Sequence, residues 1–514
     1  MTTSQSEGSE LRVIFAKRRS TGLVFGLSVP QLVLMGAAVA LITIATQDVP
    51  GPVRMGLLVL ATVVAAGAYV RHFGRPFADY IPSLVGEGVL RLARARTYRG
   101  GPARAAYARA SDLPGSALPG SLSTISFESF DVGAGESVGV ARDSQDGTVT
   151  GVLQVAGDTF SLLSTHERAA RARALQRWLD GMAQPDSPIV AVQFLTVVLP
   201  DDGDEVHRTW RTRRVDSVNE FADQIYSEAL NRDTRGGWTH ESYIAIRIDP
   251  SANRAVRSQV KTNGGREYGA VTLLWEWMNQ AATDLRDAGL SVLGWLPERG
   301  VAAVVRRAFD PDSSSMIARR GGGLGDQAGG DDGLPSGVAP EMCGPMRAEA
   351  AMSYYAHDGY LTRSWWVTEW PRAKEGVPVG FLQPLLLEAN CWHTVSLTLT
   401  PLAGRKAQRA IDLQASTQDA KRQMDEKAKR RRRRRDQREE ADVDRREVEL
   451  VDGYSSWNVT GLVTCTASDE GKLLAAGSSI TSTMNKASLE GQIWYVEQDQ
   501  AMFCGALPLA RIPS

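Results

Sequence analysis

LVFGLSVPQLVLMGAAVALITIAT, Leu23 to Thr46, holds no Asp, Glu, Lys or Arg, and a second apolar stretch, MGLLVLATVVAAGAYV, Met55 to Val70, follows it across a short turn. At about 1.5 Å of rise per helical residue the first stretch exceeds the roughly 30 Å hydrocarbon core of a bilayer, so it can span. The second has sixteen residues, and to cross it must recruit Val53 and the stem of Arg54 or rest in a locally thinned bilayer. Together they predict a transmembrane helical hairpin over 23–70, preceded by a tail at 1–22, and no comparable apolar stretch follows in the chain. A cleaved secretory signal is the competing interpretation, because Lys17, Arg18 and Arg19 precede the first stretch. Its apolar core, however, is longer than the roughly 7 to 15 residues usual in such signals.

Cations set the orientation. Arg12, Lys17, Arg18 and Arg19 precede the hairpin and Arg71, His72, Arg75, Arg91, Arg94 and Arg96 follow it, against Arg54 alone in the turn. Both termini are therefore expected in the cytoplasm, with two spans in the cell (inner) membrane and membrane lipid as a partner. Within the first span, Gly26, Pro30 and Gln31 mark a kink, a polar contact to another membrane helix, or a tolerated irregularity.

The 514 residues have a net charge of −1, with 43% apolar and 23% charged residues, which leaves room for two or three domains and gives no global bias towards nucleic acid or acidic ligands. Cys343, Cys391, Cys465 and Cys504 are scattered without a C-x-x-C pair and read as buried structural thiols in a reducing compartment. The histidines are equally dispersed, so no metal and no cofactor is expected.

Past the hairpin, Gly74 to Tyr98 repeats Phe77, Tyr80, Ile81, Leu84, Val85 and Val89 at near-helical spacing beside arginines, predicting an amphipathic juxtamembrane helix over 71–99, at the membrane surface or packed on the body. A Gly/Pro/Ser-rich linker, 100–123, separates it from a mixed α+β body. A first subdomain, 124–309, begins with the strand TVTGVLQVAG from Thr148 and a helix opened by the capping box Ser164-Thr165-His166-Glu167. Strands at 189–199 and 242–248 alternate with helices at 218–230, 270–288 and 301–308. Residues 310–341, including GGGLGDQAGGDDG, hold too few apolar residues to bury and predict a disordered loop.

The second subdomain resumes over 342–404, with a turn at Asp358-Gly359, a strand at 361–369, a helix at 381–387 and a strand at 394–402. Its C-terminal part, 453–514, reads as strand, helix, strand and short helix. Between them, 405–452 is charged and helix-forming with few core positions, so a projecting long helix or helical hairpin is expected. Its run Lys427, Ala428, Lys429, Arg430, Arg431, Arg432, Arg433, Arg434 and Arg435 is flanked by Asp425, Glu426, Asp436, Glu439 and Glu440. Three interpretations stay open: a solvated, internally paired helix, a contact with lipid or a protein partner, or a contact with nucleic acid. No aromatic residue interleaves with the run to stack on bases, which argues against the last.

Catalytic patterns are missing from the sequence. There is no G-x-x-x-x-G-K-[ST] loop to cradle phosphates, and Gly471-Lys472 is followed by Leu473 inside an expected helix. No G-x-S-x-G elbow is present either. Asp331 and Asp332 lie in the expected disordered loop, where nothing would shift their pKa.

The order of motifs carries a resemblance. The hairpin, Gly74-Arg75, Leu118-Pro119-Gly120, TVTGVLQVAG with Phe160 and Trp178, LRDAGLSVL from Leu285, Glu369-Trp370-Pro371, Pro384-Leu385-Leu386, Asp499-Gln500-Ala501 and Leu507-Pro508-Leu509 together resemble an actinobacterial conjugation-type integral membrane protein. In that family a PrgI-like or VirB-type hairpin is fused to a region similar to the amino-terminal, non-ATPase part of the CagE/TrbE/VirB ATPases. The resemblance implies a non-catalytic docking subunit of a type IV secretion-like, conjugative DNA-transfer apparatus, partnered with a separate motor ATPase and other secretion subunits, and open to homo-oligomerisation. The Gly/Asp-rich insertion and the pure arginine run depart from the family pattern. Two alternatives remain: a type VII secretion membrane component, and a membrane-attached enzyme acting on lipid or envelope substrates.

Overall fold

The computed structural model describes residues 12–13, 29–47, 50–72, 75–76, 78, 97–100, 118–133, 136–157, 163–201, 210, 213, 219–233, 237–319, 336–371, 377–402 and 456–513. After a two-residue strand, Arg12–Val13, which pairs with Val377–Pro378, come two apolar helices, α1 (Val29–Ala45) and α2 (Gly51–Tyr69), packed against each other across a short turn. In α1 the positions turned inward are Gln31, Ala38 and Ala45, seven residues apart, and in α2 they are Ala61 and Ala68, also seven apart. A seven-residue repeat keeps one seam facing the partner helix, and small side chains let the backbones approach. Val33, Val39, Ile42, Val59, Leu60 and Val63 point outward.

Among the described residues α2 alone is long and apolar enough to cross a membrane; α1 is described over 17 residues, and residues 23–28 of the expected first span lie outside the described residues. The chain enters α2 at Gly51 because Pro50 and Pro52 suit a helix start, where a missing N–H costs nothing, and the helix therefore takes in Val53 and Arg54. Pro30 is the second residue of the described α1, and the residues of the expected span before Val29 lie outside the described residues. Gln31 is buried and its Nε2 donates to the Ala68 carbonyl at 2.8 Å, so the contact made is with the other helix of the same hairpin. Gly26 lies outside the described residues.

The body is α+β, built on one antiparallel sheet of thirteen strands. In chain order its elements are β1 (Thr97–Arg99), β2 (Ile125–Gly133), β3 (Glu136–Asp143), β4 (Val149–Gly157), α3 (Thr165–Met182), β5 (Ile189–Asp201), α4 (Glu220–Asp233), β6 (Gly237–Ile248), α5 (Arg254–Thr262), α6 (Gly265–Asp287), β7 (Leu290–Trp295), α7 (Glu298–Phe309) and α8 (Ser313–Arg319). There follow β8 (Arg347–Ala350), β9 (Tyr355–His357), β10 (Tyr360–Glu369), α9 (Gln383–Leu387), β11 (His393–Leu402), β12 (Ser456–Ala467), α10 (Glu470–Lys486), β13 (Glu490–Ile493) and α11 (Gln498–Ala506).

Pairing divides the sheet into two like units. In the first, the spatial order is β7-β4-β6-β5; in the second it is β13-β10-β12-β11. The second unit runs strand, helix, strand, strand, helix, strand and ends in a further helix, and the first runs the same way with α4 added between β5 and β6 and α5 added before α6, the split β-α-β arrangement of ferredoxin-like folds. The units join where β5 pairs antiparallel with β11, from Val192 opposite Leu399 to Val198 opposite His393. Each is also preceded by an antiparallel strand pair, β2–β3 and β8–β9.

Alternation along the strands feeds two layers. On one face Leu153, Val192, Ile244 and Ile246 pack beneath α3, α5 and α6, while Val395, Val463 and Cys465 pack beneath α9 and α10. On the other face Val152, Ala191, Leu195 and Ala245 meet α7 and α11, whose Phe309 and Phe503 rings lie 6.2 Å apart, edge to face. The capping box at Ser164 is present in both directions: Ser164 Oγ accepts from Glu167 N–H, and the Glu167 carboxylate accepts from Ser164 N–H.

Several expected boundaries move. The described ends of the expected juxtamembrane helix are extended: Arg71–His72 pairs with Arg75–Pro76, and Thr97–Arg99 adds to the sheet edge beside β8. The expected linker ends early, because Leu118 and Leu122 are buried in the core around a 3-10 turn at Gly120–Leu122. The expected disordered loop is ordered at both ends, where Ile317 on α8 and Val338 bury into that same core. The expected charged projection, 405–452, lies outside the described residues.

Candidate functional site: a cleft between the two units

Where the C-terminal end of β5 meets the chain entering β11, the units leave a cleft of about 850 Å³. One wall comes from α7 and α8, the other from the end of β12 and the first turns of α10. α10 presents Ala475, Ala476 and Ser479 to the cleft, small residues that leave the space open.

The charged groups at the cleft are tied to one another. Arg307 forks onto the Glu241 carboxylate, Nη1 to Oε1 at 2.8 Å with Nη2 on Oε2, and Nη2 also donates to Tyr243 Oη at 3.0 Å. Tyr243 in turn donates to Glu241 Oε2 at 2.6 Å. Burial pushes the Tyr243 phenol well above its ordinary range. Burial works against the Arg307 charge, but Tyr243 and Glu241 more than restore it, and its pKa is raised. Tyr360 donates to Asp312 Oδ1 at 2.7 Å and is pushed up to about 12, first by burial and then by that carboxylate. Cys391, in the wall, is raised to about 12 by burial and stays a thiol at neutral pH. The start of α10 is already capped, because Asp469 Oδ1 accepts from Lys472 N–H at 2.8 Å. Near neutral pH Tyr243, Tyr360 and Cys391 keep their protons and Arg307 its charge, so what they offer a visitor is hydrogen bonding and shape.

A hydroxyl relay leads inward from the cleft wall. Thr466 Oγ1 lies 2.7 Å from Thr362 Oγ1, which lies 2.7 Å from His357 Nε2, and His357 Nδ1 lies 2.5 Å from the Phe309 carbonyl. A neutral imidazole that donates from Nδ1 and accepts at Nε2 satisfies the chain. Burial lowers the His357 pKa to about 4, against partial compensation by the Phe309 carbonyl. The folded value lies below the ordinary 6.5, so the unfolded chain takes up the proton first. The stability held by neutral His357 is complete above about pH 6.5 and is lost as pH falls towards 4, about 3 kcal/mol in all. Urea titrations between pH 7 and 4 should show this slope in the native chain and a flatter one in His357→Gln, which keeps a donor and an acceptor.

Of the residues named from the sequence, Cys391 and Lys472 line this cleft, and of the candidate contact residues none does among those described. Lys427, Lys429 and Arg430 to Arg435 lie outside the described residues, and Pro30 and Gln31 belong to the helix pair. The cleft escaped sequence reading because its members come from both units, more than 270 positions apart at Leu199 and Ser479, and none forms a local motif. The four cysteines are free and buried, as expected of structural thiols. No family model matches the chain, and no curated protein matches it.

Proposed function

We propose that this chain is a membrane-anchored docking subunit of a type IV secretion-like conjugative transfer apparatus, whose body receives a separate motor ATPase. The observation that carries the proposal is the helix pair: α1 and α2 bury small residues against each other and turn Val, Leu and Ile outward, as suits helices surrounded by lipid. The cleft between the units supports it as a place of recognition, its charges locked in pairs and its walls lined by hydroxyls. The order of motifs resembling conjugation-type membrane proteins supplies the type of assembly. In this proposal both apolar stretches cross the membrane, and both termini face the cytoplasm.

Co-purification from native membranes in mild detergent tests it. The expected result is a complex containing a motor ATPase, with single cysteines placed at residues 5 and 514 labelled only after the membrane is opened from the cytoplasmic side. Recovery as a lone monomer with no ATPase, or labelling of either terminus from outside, would overturn it.

A further inference from the structure

The elbow between α5 and α6 encloses an open cavity of about 520 Å³ whose wall carries Arg257, Lys261 and Arg266. Sequence spacing places Arg254, Arg257 and Lys261 on one face of α5, three and four residues apart. Close helix packing brings Arg266 to them. Gly269 rests on the Val260 carbonyl with no room for a Cβ, and Gly264 and Gly265, at φ 106° and 84°, turn the chain sharply enough to start α6 there.

The surrounding acids are engaged elsewhere. Asp146, the one acid in the cavity wall, takes the Arg247 guanidinium and the Thr148 hydroxyl, and Asp249 takes Ser251. Arg257, Lys261 and Arg266 form no ion pair with any described residue. Three exposed cations held together without counter-charge repel one another, and the packing that converges them leaves that repulsion for an anion to relieve. Two guanidinium forks and an ammonium match the several oxygens of a phosphate better than the two of a carboxylate.

We propose that this cavity binds a phosphate-bearing anion, either free or as a lipid headgroup. It is independent of the cleft and of the docking proposal. Amide hydrogen exchange of residues 257–268 in the full chain, held in nanodiscs, tests it. Addition of inorganic phosphate to phosphatidylcholine discs should slow exchange at the elbow at least threefold if free phosphate is the source. Replacement of phosphatidylcholine by phosphatidylglycerol should do so if the source is a headgroup. In either case the slowing should vanish in R257Q/K261Q/R266Q and persist in R257K/R266K. Lys261→Gln alone, at an exposed position, keeps the test decisive should the triple variant fail to fold, with a loss of most of the slowing expected. Exchange unmoved by both probes, or slowed equally in the charge-removed variants, would overturn the proposal.

Discussion

Gln193→Leu should destabilise the chain by about 4 kcal/mol, while Thr398→Val, its partner across the β5–β11 junction, should be neutral or stabilising. Gln193 is fully buried at the seam between the two units. Its Nε2 lies within hydrogen-bonding distance of Ser396 Oγ at 2.9 Å and of the carbonyls of Cys504 and Leu507, both at 3.1 Å, and its Oε1 accepts from Ala510 N–H at 2.7 Å. Cys504 lies in the last turn of α11 and Leu507 is its C-cap, where a helix leaves its last acceptors unsatisfied, and one amide side chain supplies what the helix cannot. Ser396 and Thr394 assist by donating to Cys504 and Gly505. Leucine fills the volume but strands the Ala510 N–H, which costs about 1 to 3 kcal/mol, and removes the bonds donated by Nε2, worth about 1 kcal/mol each, leaving the Leu507 carbonyl with the Leu509 N–H alone. Thr398 Oγ1 is buried with no hydrogen-bond partner, so removing that hydroxyl removes a cost. Chemical unfolding of the full chain in detergent, followed by tryptophan fluorescence, compares the two. Equal losses would show that α11 is held by apolar contact alone.

The same seam explains what was legible in the sequence. Alternation and helix signals placed most elements of the body to within a few residues, including the Ser164 capping box and the Asp358-Gly359 turn, because local pattern and burial agree there. The first strand pair, β2–β3, went unseen although Phe127 and Val138 are buried, since ISFESFDVG and ESVGVARD carry acids and serines throughout. α5 went unseen because RAVRSQVKT buries only Val256 and Val260. The cavity at its elbow was hidden for the same reason: its cations are spread over ten residues with no motif.

The duplication was present in the order of the elements but not in the residues. Strand, helix, strand, strand, helix, strand recurs along the chain once the added α4 and α5 are set aside, yet the second unit replaces the 18-residue helix α3 with the five-residue α9. The sheet face under α11 also differs from its counterpart. Thr362, Ser364, Thr394, Ser396 and Thr464 line it, where the first unit presents Val152, Leu195 and Ala245. A row of buried hydroxyls beside a helix end reads from sequence as a half-exposed strand, and only the α11 carbonyls explain why it is inside.

Arg247→Met should cost about 3 to 5 kcal/mol at neutral pH, and the gap to the native chain should narrow as pH falls below about 4. Arg247 lies at the end of β6 opposite the β3–β4 turn, nearly buried, with Nε donating to Thr148 Oγ1 at 2.9 Å and Nη2 shared between Asp146 Oδ2 at 2.5 Å and Asp143 Oδ2 at 3.5 Å. Asp143 is buried as well, and besides Arg247 its carboxylate meets Thr124 Oγ1 at 2.8 Å and Arg511 at 3.9 Å. Arg511 also donates to the Ser121 carbonyl, so this cluster fastens the chain entering β2 and the C-terminal residues to the same corner of the sheet. Methionine keeps the stem of Arg247 and its packing but withdraws the charge, leaving a buried carboxylate with a distant partner, which is the costly half of breaking a buried pair. Burial raises the Asp146 pKa, but the Thr148 hydroxyl and N–H and the charge of Arg247 outweigh it, so the group rests below its ordinary 3.8. A lowered carboxylate contributes stability that is present above the unfolded value and lost as pH falls through the folded one, and without Arg247 less remains to lose. D143N/R247M should recover part of the loss, because it removes the stranded charge together with its partner. A native-to-variant gap that stayed constant from pH 7 to pH 3 would show that the corner is held by the geometry of Thr148 and Thr124 rather than by its charges.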